Sequence, residues 1–170
     1  MPGSSERWVQ IDIDSQRLTL FKGRQRIRHW PVSTALKGTG ELVESACTPR
    51  GEHRVRIKIG RACPVNTVFI GRRPTGEIYD DVLAAQQPQR DWILSRIIWL
   101  TGAESGHNRG GECDTLRRYI YIHGCPDCEP VGVPVSHGCI RMRNADVIEL
   151  FELVEAGTRV VITERSSHTL

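Results

Sequence analysis

Lysine is scarce in this chain. Lys22, Lys37 and Lys58 are the only three, against twenty arginines. The basic residues are scattered, which excludes the clustered positive stripe of a nucleic-acid binder, while a small anionic substrate stays compatible with them. Aromatic residues make up only 6% and methionine occurs twice. No apolar run approaches the roughly 20 residues of a membrane-spanning helix. Repeats and low-complexity tracts are absent. The opening residues, Met1 to Trp8, contain no cationic stretch leading into an apolar one, so no secretory leader is read there. The expectation is a cytoplasmic protein in a reducing compartment with free thiols. A periplasmic site would require a leader upstream of Met1.

What is present is ordinary for a globular domain. The chain has 170 residues, a net charge of +3, 39% hydrophobic and 25% charged residues. That balance excludes disordered, collagenous and coiled-coil chains. Period-2 alternation marks Trp8–Ile13 and Arg17–Phe21 as strands around a turn at Asp14-Ser15-Gln16, with a third at Gln25–Trp30. Residues 34–52 read as loop. His53–Ile59 alternates strictly, placing Val55, Ile57 and Ile59 on one face. Residues 60–90 look irregular. Trp92–Leu100 is apolar almost throughout and rich in β-branched residues, which favours a core strand. Residues 101–114 read as a mobile glycine-rich loop. Arg118–His123 is a strand stopped by Gly124, and Arg159–Ile162 is another. The principal helix spans 144–156: Asn144 is a suitable N-cap, and Val147, Leu150, Phe151 and Val154 recur on one face as core. The expected fold is therefore mostly β, a sandwich-like or barrel-like single domain over 8–163. Residues 1–7 form an N-terminal extension and 164–170 a tail.

The chemistry concentrates in Ile122-His123-Gly124 and Ser136-His137-Gly138-Cys139-Ile140-Arg141-Met142. A cysteine nucleophile needs a base, because the thiolate is the reactive form. His123 ends a strand and His137 lies two residues before Cys139, so either histidine fits. The N–H groups of Gly138 and Cys139 are candidate donors to a developing oxyanion. The competing reading is simple packing of a buried free cysteine.

This pattern resembles the L,D-transpeptidases with a YkuD-type catalytic domain, whose signature is a His-Gly, a loop, then Ser/Thr-His-Gly-Cys. Residues 124–135 separate His123 from Ser136, slightly fewer than in that signature. The likeness extends to Ser33-Thr34, Gly38, Gly40, Thr48-Pro49-Arg50-Gly51, and Ile97–Gly102 with Asn108. It implies roles residue by residue. Cys139 is the nucleophile, His123 the base, and the Gly124 carbonyl orients that base. His137, Gly138 and Cys139 form the oxyanion hole. Arg141 stands where some members have asparagine, and is assigned to substrate binding with Ser136; an internal ion pair is the competing role for Arg141.

The resemblance further implies a peptidoglycan stem tetrapeptide as substrate, with Cys139 attacking the carbonyl between diaminopimelate and the terminal D-Ala. Water as acceptor gives an L,D-carboxypeptidase of peptidoglycan recycling, the outcome a cytosolic location favours. An amine acceptor gives an L,D-transpeptidase that forms 3-3 cross-links or exchanges D-amino acids. The expectation is a monomer without nucleic-acid partner, cofactor or metal. A zinc-stabilised binding module is the non-enzyme alternative. It would use Cys113, Cys125, Cys128 and a histidine as ligands. The Cys125-Pro126-Asp127-Cys128 spacing also admits a low-pKa redox pair or a disulfide to Cys139. His29, His53, His107 and His168 read as surface or loop residues.

Overall fold

The computed structural model describes residues 5–165. Residues 1–4 of the expected extension and 166–170 of the expected tail, with His168, lie outside the described residues. The fold is mostly β. Among the described residues, ten strands form a single curled sheet. The order is β3 (Gln25–Pro31), β2 (Arg17–Lys22), β1 (Arg7–Asp12), β10 (Arg159–Thr163), β4 (Gly51–Ile59), β7 (Ile93–Gly102), β5 (Thr67–Ile70) and β6 (Arg73–Ile78). Off this path, β8 (Tyr121–Cys125) pairs with β7, and β9 (Ile140–Arg143) pairs with β8.

The N-terminal meander matches the alternation in the sequence, with Val9, Ile11, Leu18 and Leu20 buried. The helix α2 (Asn144–Leu153) lays Val147, Leu150 and Phe151 on the same core as β1, β2, β7, β8 and β9. Burying these side chains removes apolar surface worth roughly 1.5–3 kcal/mol each, and this packing holds the α2 end of β9 in place.

The structure corrects several sequence expectations. Strict alternation in 53–59 is interrupted by a β-bulge between Val55 and Ile57. Val55 is buried whereas Ile57 is exposed, because an inserted residue reverses the facing of all that follow. The irregular stretch 60–90 contains the hairpin β5–β6 and a short helix, α1 (Asp81–Gln86), capped by Asp80 accepting from the Leu83 N–H at 2.8 Å. The helix α2 ends at Leu153, and its N-cap is Arg143, without a side-chain capping bond. Asn144 is drawn inward instead. Gly124 does not stop β8; that strand starts at Tyr121 and runs through Gly124 to Cys125. The loop after β7 is pinned by fully buried Asn108, whose amide donates to the carbonyls of Arg50 and Glu52 at 3.0 Å each. His53 is also buried, between the Gly51 carbonyl and the Thr115 hydroxyl, both at 3.0 Å. Burial pushes its imidazole down to about 4.

Candidate active site

β8 and β9 run parallel in the register Ile122↔Ile140, His123↔Arg141 and Gly124↔Met142. This pairing brings two segments separated by a loop into one cleft of about 190 Å³. The cleft is lined by the expected His123, Ser136, His137, Cys139 and Arg141, joined by Asp91, Arg118, Tyr119 and Ile120. A larger depression of about 490 Å³, near Arg7, Lys22 and Thr158, is lined by no thiol or imidazole among the described residues.

Cys139 precedes β9 and is half-buried. Its sulfur accepts from the Tyr121 N–H at 3.3 Å, and its thiol donates to the Tyr119 carbonyl at 3.3 Å. Burial pushes the thiol up to about 11; Asp91 acts the same way, while the Tyr121 N–H, Arg141 and Arg118 oppose it. At neutral pH the group is then a thiol, and a nucleophilic role would require a base.

His123 is buried, 2% exposed. Its Nδ1 lies 2.7 Å from the Gly124 carbonyl oxygen. A carbonyl only accepts, so Nδ1 carries the proton and Nε2 keeps its lone pair. Burial lowers the imidazole from its ordinary value, which keeps it neutral and able to take a proton. His137 differs. Its side chain is 74% exposed and lies 3.8 Å from Asp91. Of the two histidines that the residues left open, the buried and tautomerically fixed one is His123.

The turn before Cys139 is held from several sides. The Gly138 N–H donates to the Ser136 hydroxyl at 3.2 Å, and that hydroxyl donates to the Cys139 carbonyl at 2.5 Å. The Thr48 hydroxyl donates to the Gly138 carbonyl at 2.9 Å and accepts from the Ala35 N–H at 3.0 Å. The Thr-Pro-Arg-Gly turn and the Ser33-Thr34 segment thus brace the Ser-His-Gly-Cys loop, and Ser33 bridges Arg141 through paired backbone bonds of 2.9 Å. Gly138 has φ +131, and a Cβ there would meet the Cys47 carbonyl at 3.2 Å. The Gly138 N–H and the Ser136 hydroxyl are therefore both engaged in shaping the loop.

Arg141 is held between two carboxylates, Asp91 at 3.1 Å and Glu129 at 3.3 Å, with a side chain 12% exposed. Arg118 donates to the Gly40 carbonyl, the Ser45 hydroxyl and the Cys47 carbonyl, and burial lowers its pKa. Asp91, Arg118 and Tyr119 entered no sequence motif. Only the fold brings them to the cleft; the arginine's position beside a strand was its sole signal.

Behind β8 lies a buried polar network. The Asn144 amide donates to the Cys125 carbonyl at 2.9 Å, the Asn66 side chain at 3.0 Å and Asp127 at 3.2 Å, and its oxygen accepts from the Ser95 hydroxyl at 2.6 Å. Ser95 sits in a β7 bulge with φ +71. Cys125 does not fit the low-pKa reading of the Cys-x-x-Cys pair. Burial pushes the Cys125 thiol up to about 12, and its sulfur faces the Met142 carbonyl at 3.4 Å. Cys128 is exposed, 3.8 Å from the Tyr79 hydroxyl. Among the described residues, no three His, Cys, Asp or Glu side chains converge as a metal site, so the ligand set of the zinc module is not assembled.

A family model described as the YkuD L,D-transpeptidase catalytic domain matches residues 6–162. The chain is similar to the probable L,D-transpeptidase YbiS of Escherichia coli, 30% identical over 126 residues, covering 66% of this chain and 39% of that protein. It is also 54% identical over 47 residues to YqjB of Bacillus subtilis, covering 28% of this chain and 27% of that one. It thus spans well under half the length of these curated relatives. Among solved structures, an L,D-transpeptidase from Mycobacterium smegmatis superposes with a TM-score of 0.57 at 22% identity, covering 93% of this chain and 58% of that chain. Bd1075 of Bdellovibrio bacteriovorus gives 0.58 at 16% identity, covering 96% and 49%. Those two similarities concern the fold.

Proposed function

The chain belongs to the YkuD L,D-transpeptidase catalytic-domain family, and from that premise we propose that it is a cysteine acyltransferase acting on peptidoglycan stem tetrapeptides, with water as the acceptor. The observation that carries the acyl-transfer reading is that the half-buried Cys139 thiol and a neutral His123, its Nδ1 tied to the Gly124 carbonyl, line one cleft. His123 Nε2 takes the thiol proton as the sulfur attacks the diaminopimelate carbonyl carbon. A C–S bond forms, the C–N bond to D-Ala breaks, and the proton passes to the departing amine. Water, deprotonated by the same imidazole, then cleaves the thioester and restores the thiol. Oxyanion stabilisation is assigned to the 137–139 backbone. Since the Gly138 N–H is bonded to Ser136, the Cys139 N–H is the main donor in this scheme.

The six cysteines are free thiols, the state that a reducing compartment maintains, and a cytosolic site with soluble muropeptides as substrate belongs to the same proposal. The second reading, 3-3 cross-linking or D-amino-acid exchange, is favoured by the names of the relatives. Incubation of the purified protein with disaccharide tetrapeptide, beside Cys139→Ala, separates them. Tripeptide and free D-Ala are the expected products. Cross-linked dimers as the main product would replace the hydrolytic reading, and residual turnover in Cys139→Ala would remove the thioester mechanism.

A further inference from the structure

Arg72 occupies the tip of the β5–β6 hairpin, in a two-residue loop closed by the pair Ile70↔Arg73. Gly71 and Arg72 are both left-handed, at φ +56 and +66, a conformation uncommon for a residue with a side chain. The guanidinium carbon lies 4.7 Å from the Tyr119 ring centroid and 5.1 Å from that of Trp99. One nitrogen donates to the Tyr121 hydroxyl at 3.2 Å. The same two tyrosines hold the nucleophile through their backbones: Tyr119 accepts the Cys139 thiol and Tyr121 donates to its sulfur. Arg72 is thus fastened to the wall against which Cys139 sits.

The two arginines that line the cleft with Cys139 have their donors committed. Arg141 is paired with Asp91 and Glu129, and Arg118 is engaged by three loop oxygens. Arg72, by contrast, makes no ion pair among the described residues, and its one side-chain hydrogen bond there goes to a neutral phenol. Aromatic contacts hold the guanidinium without consuming its in-plane N–H donors. A guanidinium held in place with donors to spare is suited to bidentate capture of a carboxylate.

We propose that Arg72 is a specificity-determining residue that binds a carboxylate of the donor peptide, held for that purpose over the rings of Trp99 and Tyr119. The inference rests on the stem-peptide reading above. In that substrate the carboxylate is either the terminal one of D-Ala or the side-chain one of diaminopimelate. The two sources share one chemistry, and amidation distinguishes them.

The test compares kcat/KM for free-acid tetrapeptide, its C-terminal amide and its side-chain amide, in wild type, Arg72→Asn and Arg72→Lys. Asparagine tolerates the left-handed turn, so the hairpin is retained while the charge is removed. Wild type is expected to prefer the free acid over one of the two amides by about tenfold, the scale of a charged hydrogen bond. The discriminated amide identifies the carboxylate. Arg72→Asn is expected to lower the free acid to the level of that amide, with Arg72→Lys in between. Equal wild-type rates on all three peptides, or an unchanged preference in Arg72→Asn, would overturn the inference while leaving acyl transfer intact. Should Arg72→Asn not fold, Arg72→Lys decides: an undiminished preference there overturns the inference. A wild-type protein that turns over none of the peptides would overturn the stem-peptide reading itself, and this inference with it.

Discussion

The His123 Nδ1 lies 2.7 Å from the carbonyl oxygen of the next residue in the chain, Gly124. In the proposed mechanism a backbone carbonyl therefore does what a carboxylate does in other triads: it fixes the tautomer and ring orientation of the base. Unlike a carboxylate it adds no full negative charge, so burial prevails and the imidazole stays neutral.

The first prediction concerns pH. In the proposed mechanism His123 acts unprotonated, and burial holds its pKa below the ordinary value of 6.5. Activity should appear as pH rises through that lowered value, so the acid limb of kcat/KM falls below pH 6.5. A limb at or above 6.5 would contradict the burial argument. His123→Ala should reduce the rate by about 10²–10⁴-fold, as removal of a general base does.

Alkylation of the resting enzyme tests the nucleophile. With the Cys139 thiol pushed up to about 11, iodoacetamide labelling at this position should be slow at pH 7–8 and should climb toward pH 11. Peptide mapping of the labelled site reads it directly. Rapid labelling at neutral pH would indicate a preformed thiolate and a different activation step.

Gly124→Ala places a methyl group 2.5 Å from the Leu94 carbonyl oxygen and 2.6 Å from the Asn144 side-chain oxygen. Neither is free to move, since one belongs to a β7 bulge and the other to the buried network. Over-packing of this kind costs about 1–3 kcal/mol. The variant should show a lower thermal midpoint together with loss of activity, because the shifted strand carries His123.

Asn144→Ala removes four hydrogen bonds and leaves the Cys125 carbonyl and the Ser95 hydroxyl without that partner. A buried group left unsatisfied costs about 1–3 kcal/mol, so a loss of about 3 kcal/mol in denaturant unfolding is expected. A change below 0.5 kcal/mol would show that the network contributes little.

His53 makes stability depend on pH. Its folded value of about 4 lies below 6.5, so between these limits the unfolded chain takes up a proton that the folded one refuses. Stability is lost as pH falls through that window, by about 3 kcal/mol at ~1.4 kcal/mol per unit. His123 adds in the same direction. Unfolding of His53→Gln followed from pH 7 to 4 should lack the His53 share.

The strands of the meander and the core face of α2 were legible because each buries one face against one partner, and a single period then records it. Ile57 misled for a local reason, a bulge that reverses the facing. Asn144 misled for a tertiary one. Its side chain has the chemistry of a cap, but the bulged β7 and the carbonyl of Cys125 offer it partners inside the protein.

From the sequence alone came the mostly-β class, the amphipathic helix and the set His123, Gly124, Ser136, His137, Cys139 and Arg141, because these lie within short local patterns. Only the tertiary structure decided which histidine is buried, how Arg141 is paired, that Asp91, Arg118 and Tyr119 line the cleft with Cys139, and that Arg72 packs on Tyr119. The reason is physical. Local spacing encodes the period of an element and the chemistry of a motif, whereas burial and charge pairing depend on segments such as β5–β6 and β7 that pack together across long stretches of chain. The scarcity of lysine now has a local counterpart: the cations around Cys139 are arginines, whose planar forks permit the shared, multi-oxygen bonding seen at Arg118 and Arg141.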